Sequence, residues 1–218
     1  MPRKIPDLES KILEAARQLF LTNGYLEVSM KQVACEAGTS VGNLYNYFST
    51  KKDLFLAGRR QGLEDFHEKF TRLTVETDPL TTMCEMLFLL MDTMEKWSGL
   101  WEDFLQEVSV NLPRHEAEAL HEALKDEAHR LVIPKIESTL SKLAVNDREL
   151  QLLLEQPESR FAVGLVSLVK FLVKTFPDSQ QANKTFLKAT LERLLRPVSL
   201  PSSSQATLDK TQLCKEKL

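Results

Sequence analysis

The sequence has little of what most catalytic, secreted or membrane-bound chains need. Its three cysteines, Cys35, Cys84 and Cys214, lie far apart and no pair has metal-ligand spacing, so no zinc or other metal site is expected. Cys35 reads as a small buried filler, because nothing around it marks a redox-sensing thiol. There is no glycine-rich phosphate loop, and none of the four histidines pairs recognisably with a serine or cysteine. His115, His121 and His129 stand six and eight residues apart, not at the i, i+4 spacing of a helical metal pair, and are assigned to the surface. An enzyme is therefore not expected, nor a cofactor. The longest apolar stretch, Phe161 to Val173, is broken by Lys170 and is too short to span a bilayer. Arg3 and Lys4 are followed by no apolar run, so no signal peptide is read. The expectation is a cytoplasmic protein with no membrane partner. No stretch of useful length alternates with a strand's period and no internal repeat is present, which makes the fold class all-α.

The net charge of −3 argues against generic coating of nucleic acid. Its distribution is more telling. Residues 1–60 carry nine Lys/Arg against six Asp/Glu, a net of +3, whereas residues 61–218 carry 19 against 25, a net of −6. A basic head on an acidic body suits a protein that presents one end to phosphate. A length of 218 residues allows one or two domains with a sizeable core.

The punctuation of residues 29–55, SMKQVACEAGTSVGNLYNYFSTKKDLF, is dense. Ser29 with Gln32 forms a capping box. The helix it opens buries Met30, Val33, Ala34 and Ala37 at helical spacing, and the small alanines permit close approach of a second helix. Gly38 falls where a helix end wants positive φ. Thr39 or Ser40 caps the next helix, whose Leu44, Tyr45 and Phe48 recur at one-turn intervals with Val41 at the exposed edge. Thr50 with Asp53 caps a third. Upstream, Ile12, Ala15, Ala16, Leu19 and Phe20 mark an amphipathic helix, opened by Asp7 or Ser10 and closed at Asn23-Gly24, with Tyr25 packing back. Three such short helices bury too small a core to be very stable alone, so the unit leans on the rest of the chain. Two short helices set at a fixed angle by a tight turn are most often used to push the second into the DNA major groove. On that helix Ser40, Val41, Gly42, Asn43, Tyr45 and Tyr47 have suitable chemistry. Gly42 lets the backbone approach the groove wall, Asn43 pairs best with adenine, and Val41 offers an apolar contact to a thymine methyl.

Taken together, ILEAARQLFLTNGY, SMKQVACEAGTSVGNLYNYF and STKKDLF resemble the DNA-binding domain of the TetR family of bacterial transcriptional regulators, over about residues 8–56. The sequence departs from the family pattern at Val41, where lysine is common, at Asn46-Tyr47, where Tyr-His is frequent, and at Ser49, where proline is frequent. These changes alter which bases are read and leave the fold intact. The resemblance implies an all-helical homodimer that binds a palindromic double-stranded operator and is released by a small-molecule effector. By family position, Tyr45 and Tyr47 reach base or phosphate, Lys51 grips phosphate, and Ser29, Lys31 and Gln32 make backbone contacts. Most relatives repress.

The remainder reads as a helical bundle. The expected division is a DNA-binding domain over 1–50, a ligand-binding and dimerisation domain over 51–196, and a flexible Ser/Pro-rich tail over 197–218. A long helix runs from Lys51 to about Leu73. Asp78-Pro79 opens the next, with Met83 to Met94 apolar almost all round and therefore central. Trp97, Trp101, Phe104, Leu105 and Val108 continue through a shorter helix ending near Pro113. Residues 114–143 are helical, with Pro134 expected to kink or break them. A helix from Gln156-Pro157 to about Phe176 and a last one from about Ser179 to Arg196 follow. Met83, Leu87, Met91, Met94, Trp97, Trp101 and Phe104 are the candidate lining of a pocket for an apolar effector, while Glu102 and Glu107 are candidates for contact with a cationic one. The last two long helices are the candidate dimer interface, with Phe161, Leu165, Leu168 and Leu172 on one face and Leu187, Leu191, Leu194 and Leu195 on the other. An adaptor that keeps the fold without DNA binding is the alternative to a regulator.

Overall fold

The computed structural model describes residues 7–73, 78–154 and 160–195. Among these no strand occurs. The helices are α1 (Leu8–Asn23), α2 (Met30–Glu36), α3 (Val41–Tyr47), α4 (Lys51–Arg72), α5 (Pro79–Asn111), α6 (Arg114–Leu143), α7 (Arg148–Leu154), α8 (Arg160–Thr175) and α9 (Gln180–Leu195), with a 3₁₀ turn at Ala144–Asn146 between α6 and α7. The all-α expectation holds. The tail expected over 197–218, Cys214 and the start at Gln156-Pro157 lie outside the described residues.

The local signals act as their chemistry dictates. Ser29 Oγ accepts from the Gln32 amide at 3.3 Å while Gln32 Oε1 accepts from the Ser29 amide at 2.8 Å, completing the capping box. Ser40 Oγ accepts from the Asn43 amide at 3.1 Å, and Thr50 Oγ1 from that of Asp53 at 3.0 Å. The end of α2 is a full Schellman motif: Thr39 N–H donates to Ala34 C=O, Gly38 N–H to Cys35 C=O, and Gly38 takes φ +65°. Asp7 does occupy the N-cap position of α1, but at φ 72° and with no side-chain cap bond, so the expected cap is only positional.

Two hydrophobic cores share α5. The first joins α1–α4 to the second half of α5 through Leu100, Phe104 and Val108. The second packs Met83, Met86, Leu87, Leu90 and Met91 of α5 against α4, α6, α8 and α9. The head therefore does lean on the body. Three expectations need correction. The helix through Trp97 and Phe104 is not separate: α5 runs unbroken for 33 residues, because no residue between Met94 and Trp97 interrupts it. Pro134 does not break α6. Its missing N–H and its ring carry a penalty of about 3 kcal/mol. Burial of Val132, Ile136 and Leu140 around it offsets that, at about 1.5–3 kcal/mol for each side chain. Finally, α7 was not expected; Asp147 Oδ1 accepts from the Leu150 amide at 2.9 Å and caps a helix of seven residues, too short to show a clear period.

The two glycines Gly38 and Gly58 should respond oppositely to alanine. At Gly38 the left-handed backbone makes a Cβ unfavourable by about 1–2 kcal/mol, although the space around it is open. Gly58 lies inside α4, and an alanine methyl there would meet nothing within 4 Å, so the substitution should stabilise by about 0.5–1 kcal/mol. Urea denaturation followed by circular dichroism distinguishes the signs.

Candidate nucleic-acid interface

Helix α3 is amphipathic. Leu44 is fully buried and Phe48, just beyond the helix, nearly so; they wedge between α1, α2 and α4. The opposite side faces solvent: Ser40, Val41, Gly42, Tyr45 and Asn46 are exposed. Tyr45, on the same stripe as Leu44 and Phe48 in the sequence, is 50% exposed and so is not core. Asn43 and Tyr47 are half-buried at the flanks. Asn43 Nδ2 donates to Thr39 Oγ1 at 3.4 Å, and Tyr47 packs partly against the head core. Ser29, Lys31 and Gln32 are exposed at the start of α2, on the element that precedes the turn. The expected DNA-facing residues of α2 and α3 thus lie on two helices that pack together, with Ser40, Val41 and Gly42 at the start of α3 in solvent.

Lys51 behaves differently. It stands at the start of α4, but its ammonium is held by the chain itself. Nζ donates to Tyr25 C=O at 3.2 Å, lies 3.2 Å from Glu107 Oε2, and sits 4.3 Å from the centre of the Tyr25 ring. Tyr25 Oη in turn donates to Glu107 Oε1 at 2.9 Å. Tyr25 is completely buried among Phe20, Phe55 and Phe104, at centroid distances of 5.6, 4.9 and 5.4 Å. Burial first, then the hydrogen bond and charge of Glu107, push its phenol pKa far above the ordinary value. Glu107 is therefore committed within the molecule, and Glu102 lies on the surface 3.7 Å from Lys174 Nζ. Both were candidate contacts for a cationic ligand; for Glu107 the partners are Tyr25 and Lys51. No periodicity could have found this triad, since Tyr25 and Glu107 are 82 residues apart.

A second tie fixes α4 to the body. The Arg59 guanidinium pairs with Glu127, donates to Leu124 C=O at 2.8 Å and lies over the Trp101 ring at 5.4 Å. One side chain thereby joins α4, α5 and α6.

The remaining expected sites are placed as follows. The candidate effector lining is divided between two cores: Met83, Leu87 and Met91 are fully buried in the body core with Met94 against it, whereas Phe104, Trp97 and Trp101 belong to the head core. A cleft between α5 and α6 is lined by Leu105, Val108, Ser109, Ala117, Glu118, His121 and Glu122, and none of the seven expected residues lines it. The candidate dimer stripe also needs correction. Leu165, Leu172, Leu187, Leu191 and Leu195 are buried within the chain's own core, and Phe161 and Leu168 pack against it. Of that set only Leu194 is well exposed; the other large exposed apolar residues of these helices are Val163, Phe171 and Phe186, with Phe176 just after α8. The reason is that period alone identifies an apolar stripe but not which neighbour covers it. Cys35, read as a buried filler, is exposed, because the buried side of α2 is Val33 and Ala34. No helix among the described residues is long and apolar enough to cross a membrane.

An all-helical chain with a capped helix-turn-helix at its basic end has the form of a DNA-binding regulator. The comparisons agree. Residues 12–57 match the family of bacterial regulatory proteins, tetR family. The chain is 42% identical over 50 residues to the HTH-type transcriptional regulator QacR of Staphylococcus aureus, covering 23% of this chain and 27% of QacR. It is 27% identical over 88 residues to the HTH-type transcriptional regulator HbdR of Aromatoleum sp. (strain CIB), covering 40% of this chain and 38% of HbdR. These matches thus span well under half the length of either relative. The solved structure of AibR in complex with isovaleryl coenzyme A and operator DNA shares the fold across 86% of this chain and 98% of that one, with a TM-score of 0.53 at 20% identity. The family match and the named relatives support a TetR-family regulator whose tetR-type segment lies at residues 12–57, and the solved structure shows the shared fold.

The Tyr25–Glu107 bond should show itself in pH dependence. A phenol pKa raised by folding adds stability below the unfolded value and loses it as pH climbs past about 10. Tyr25→Phe should lower stability at neutral pH by about 1.5–3 kcal/mol, as for a hydrogen bond to a charged group. It should also flatten the alkaline decline relative to wild type, read from urea midpoints at a series of pH values.

Proposed function

We propose that the protein is a ligand-responsive transcriptional repressor that binds a palindromic operator as a homodimer and releases it when a small, largely apolar effector binds the body. The observation that carries this reading is the outward tip of α3, with Val41, Gly42 and Tyr45 in solvent at the basic end of an otherwise acidic chain. Asn43, Tyr47 and Ser40 flank that tip, and Ser29, Lys31 and Gln32 supply contacts to the sugar-phosphate backbone. Lys51 adds a phosphate grip whose strength depends on its partners. The division at residue 50 into a reading head and a body over 51–196 belongs to the same proposal, as do a cytoplasmic location and a binding rather than catalytic role. AibR, with the same fold, is known in complex with isovaleryl coenzyme A and operator DNA, which is in keeping with a ligand-responsive reading.

Two subunits are required because a two-fold operator presents its half-sites about 34–36 Å apart. The exposed apolar side chains of α8 and α9 support such a pairing. Val163 and Phe171 on α8, and Phe186 and Leu194 on α9, each stand eight residues apart, along one side of their helices. A second copy pairing α8 and α9 in a four-helix arrangement would cover them.

Fluorescence anisotropy with DNA selected from a randomised library tests the head. Asn43→Ala should weaken binding by about 1–3 kcal/mol and relax one base position. Tyr45→Ala should weaken it while shifting stability by no more than about 0.5 kcal/mol, since Tyr45 is surface. Unchanged base preference for both variants would refute the reading of α3. For the dimer, Phe171→Glu combined with Phe186→Glu should give a folded monomer in sedimentation equilibrium at micromolar concentration, against a dimer for wild type.

A further inference from the structure

Lys51 and Glu107 belong to different parts of the molecule. Lys51 opens α4 beside the recognition helix, whereas Glu107 lies near the end of α5, the helix that also forms the centre of the body core. The carboxylate is delivered by a rigid element: Phe104 and Val108, on either side of it, are anchored in the head core. Both of its oxygens are engaged, Oε1 by the Tyr25 hydroxyl and Oε2 by the Lys51 ammonium. The two side chains are only 21% and 29% exposed, so solvent screens the pair less than it would a surface pair. An ammonium has three donors. One is used by Tyr25 C=O, and the Glu107 carboxylate lies 3.2 Å away as an ion-pair partner for the ammonium. A DNA phosphate approaching the start of α4 therefore meets an ion pair of no net charge, not a free cation.

We propose that Glu107 is a positioning residue that restrains DNA binding through Lys51: while it holds the ammonium, the head binds phosphate more weakly than its own charge allows. This rests on the DNA-binding reading of the head given above. Because Glu107 is carried by α5, any rearrangement of the body that withdraws it from Tyr25 and Lys51 frees one positive charge per subunit at the DNA-facing end. The resulting change is in affinity for all sequences alike, since a phosphate contact carries no base preference. Base discrimination, made by α3, is untouched.

Glu107→Gln keeps the side-chain length and an acceptor for the Tyr25 hydroxyl while removing the charge. Anisotropy titrations would use two duplexes of about 30 base pairs, one selected from a randomised library and one of mixed sequence, in salt from about 50 to 200 mM. The expected result is severalfold tighter binding to both duplexes, and a plot of log K against log salt steeper by about 0.9 per subunit. In a Lys51→Gln background the same substitution should give neither the gain nor the steeper slope. Glu107→Asp retains the charge but retracts it by one methylene, and should move both quantities in the same direction by a smaller step. It also provides the readout should Glu107→Gln not fold by circular dichroism. Unchanged or weakened binding at an unchanged slope overturns the proposal. So does a gain that persists without Lys51, which would mark a general charge effect. If wild type binds neither duplex, the DNA-binding reading itself fails; if wild type binds and only the variants' slopes stay the same, the restraint alone fails.

Discussion

The aromatic joint between Tyr25, Phe55 and Phe104 is the contact on which the rest of this structure depends. Phe55 and Phe104 stack at 4.7 Å, and Tyr25 meets both edge-on. Pairs of this kind contribute about 0.5–1.5 kcal/mol each beyond the area they bury. The larger effect is geometric. Each ring comes from a different segment, so packing them together fixes the α1–α2 connection, the start of α4 and the end of α5 relative to one another. Helices α2 and α3 have only seven residues each and could not hold an orientation by themselves. They hold it because the core beneath them is closed by a helix from the body.

That closure also arranges the charges. Burying Tyr25 requires a partner for its hydroxyl, and Glu107 supplies one. A half-buried carboxylate requires a cation in turn, and Lys51 supplies one at 3.2 Å. The need to satisfy a buried phenol therefore determines the state of a lysine at the start of α4, on the proposed DNA-binding side. Arg59 makes a parallel connection on the other flank, joining α4 to Glu127 and the Leu124 carbonyl of α6. Among the described residues, two ionic ties laid over one apolar joint thus connect α1–α4 to α5 and α6, which suits the proposed regulator, in which events in the body would reach DNA.

Much of the head is legible in the sequence because its signals are local. Ser29, Ser40, Thr50 and Gly38 each act on backbone groups within five residues, and each does what its chemistry requires. The long helix α4, the central apolar stretch of α5 and the stop before Pro113 are legible for the same reason. The exposure of Cys35 is not, because a seven-residue helix gives too few positions to assign faces. The stripes of α8 and α9 are legible as apolar, but the neighbour that covers them is not. Leu165 and Leu187 pack inward, while Phe171 and Phe186, a fraction of a turn away, face out.

From its sequence alone this chain was determined to be all-helical, with a capped and angled pair of short helices at a basic end, because periodicity and capping act between near neighbours. Only the tertiary structure decided that α5 is one helix shared by two cores, that the proposed effector residues fall on both sides of that division, and that Lys51 answers to Glu107. Those facts depend on which surfaces meet across tens of positions along the chain, 49 between Phe55 and Phe104 and 56 between Lys51 and Glu107. Such meetings are selected by the packing of the whole, in which burial energy and the satisfaction of polar groups are settled together, and no short-range pattern records their outcome.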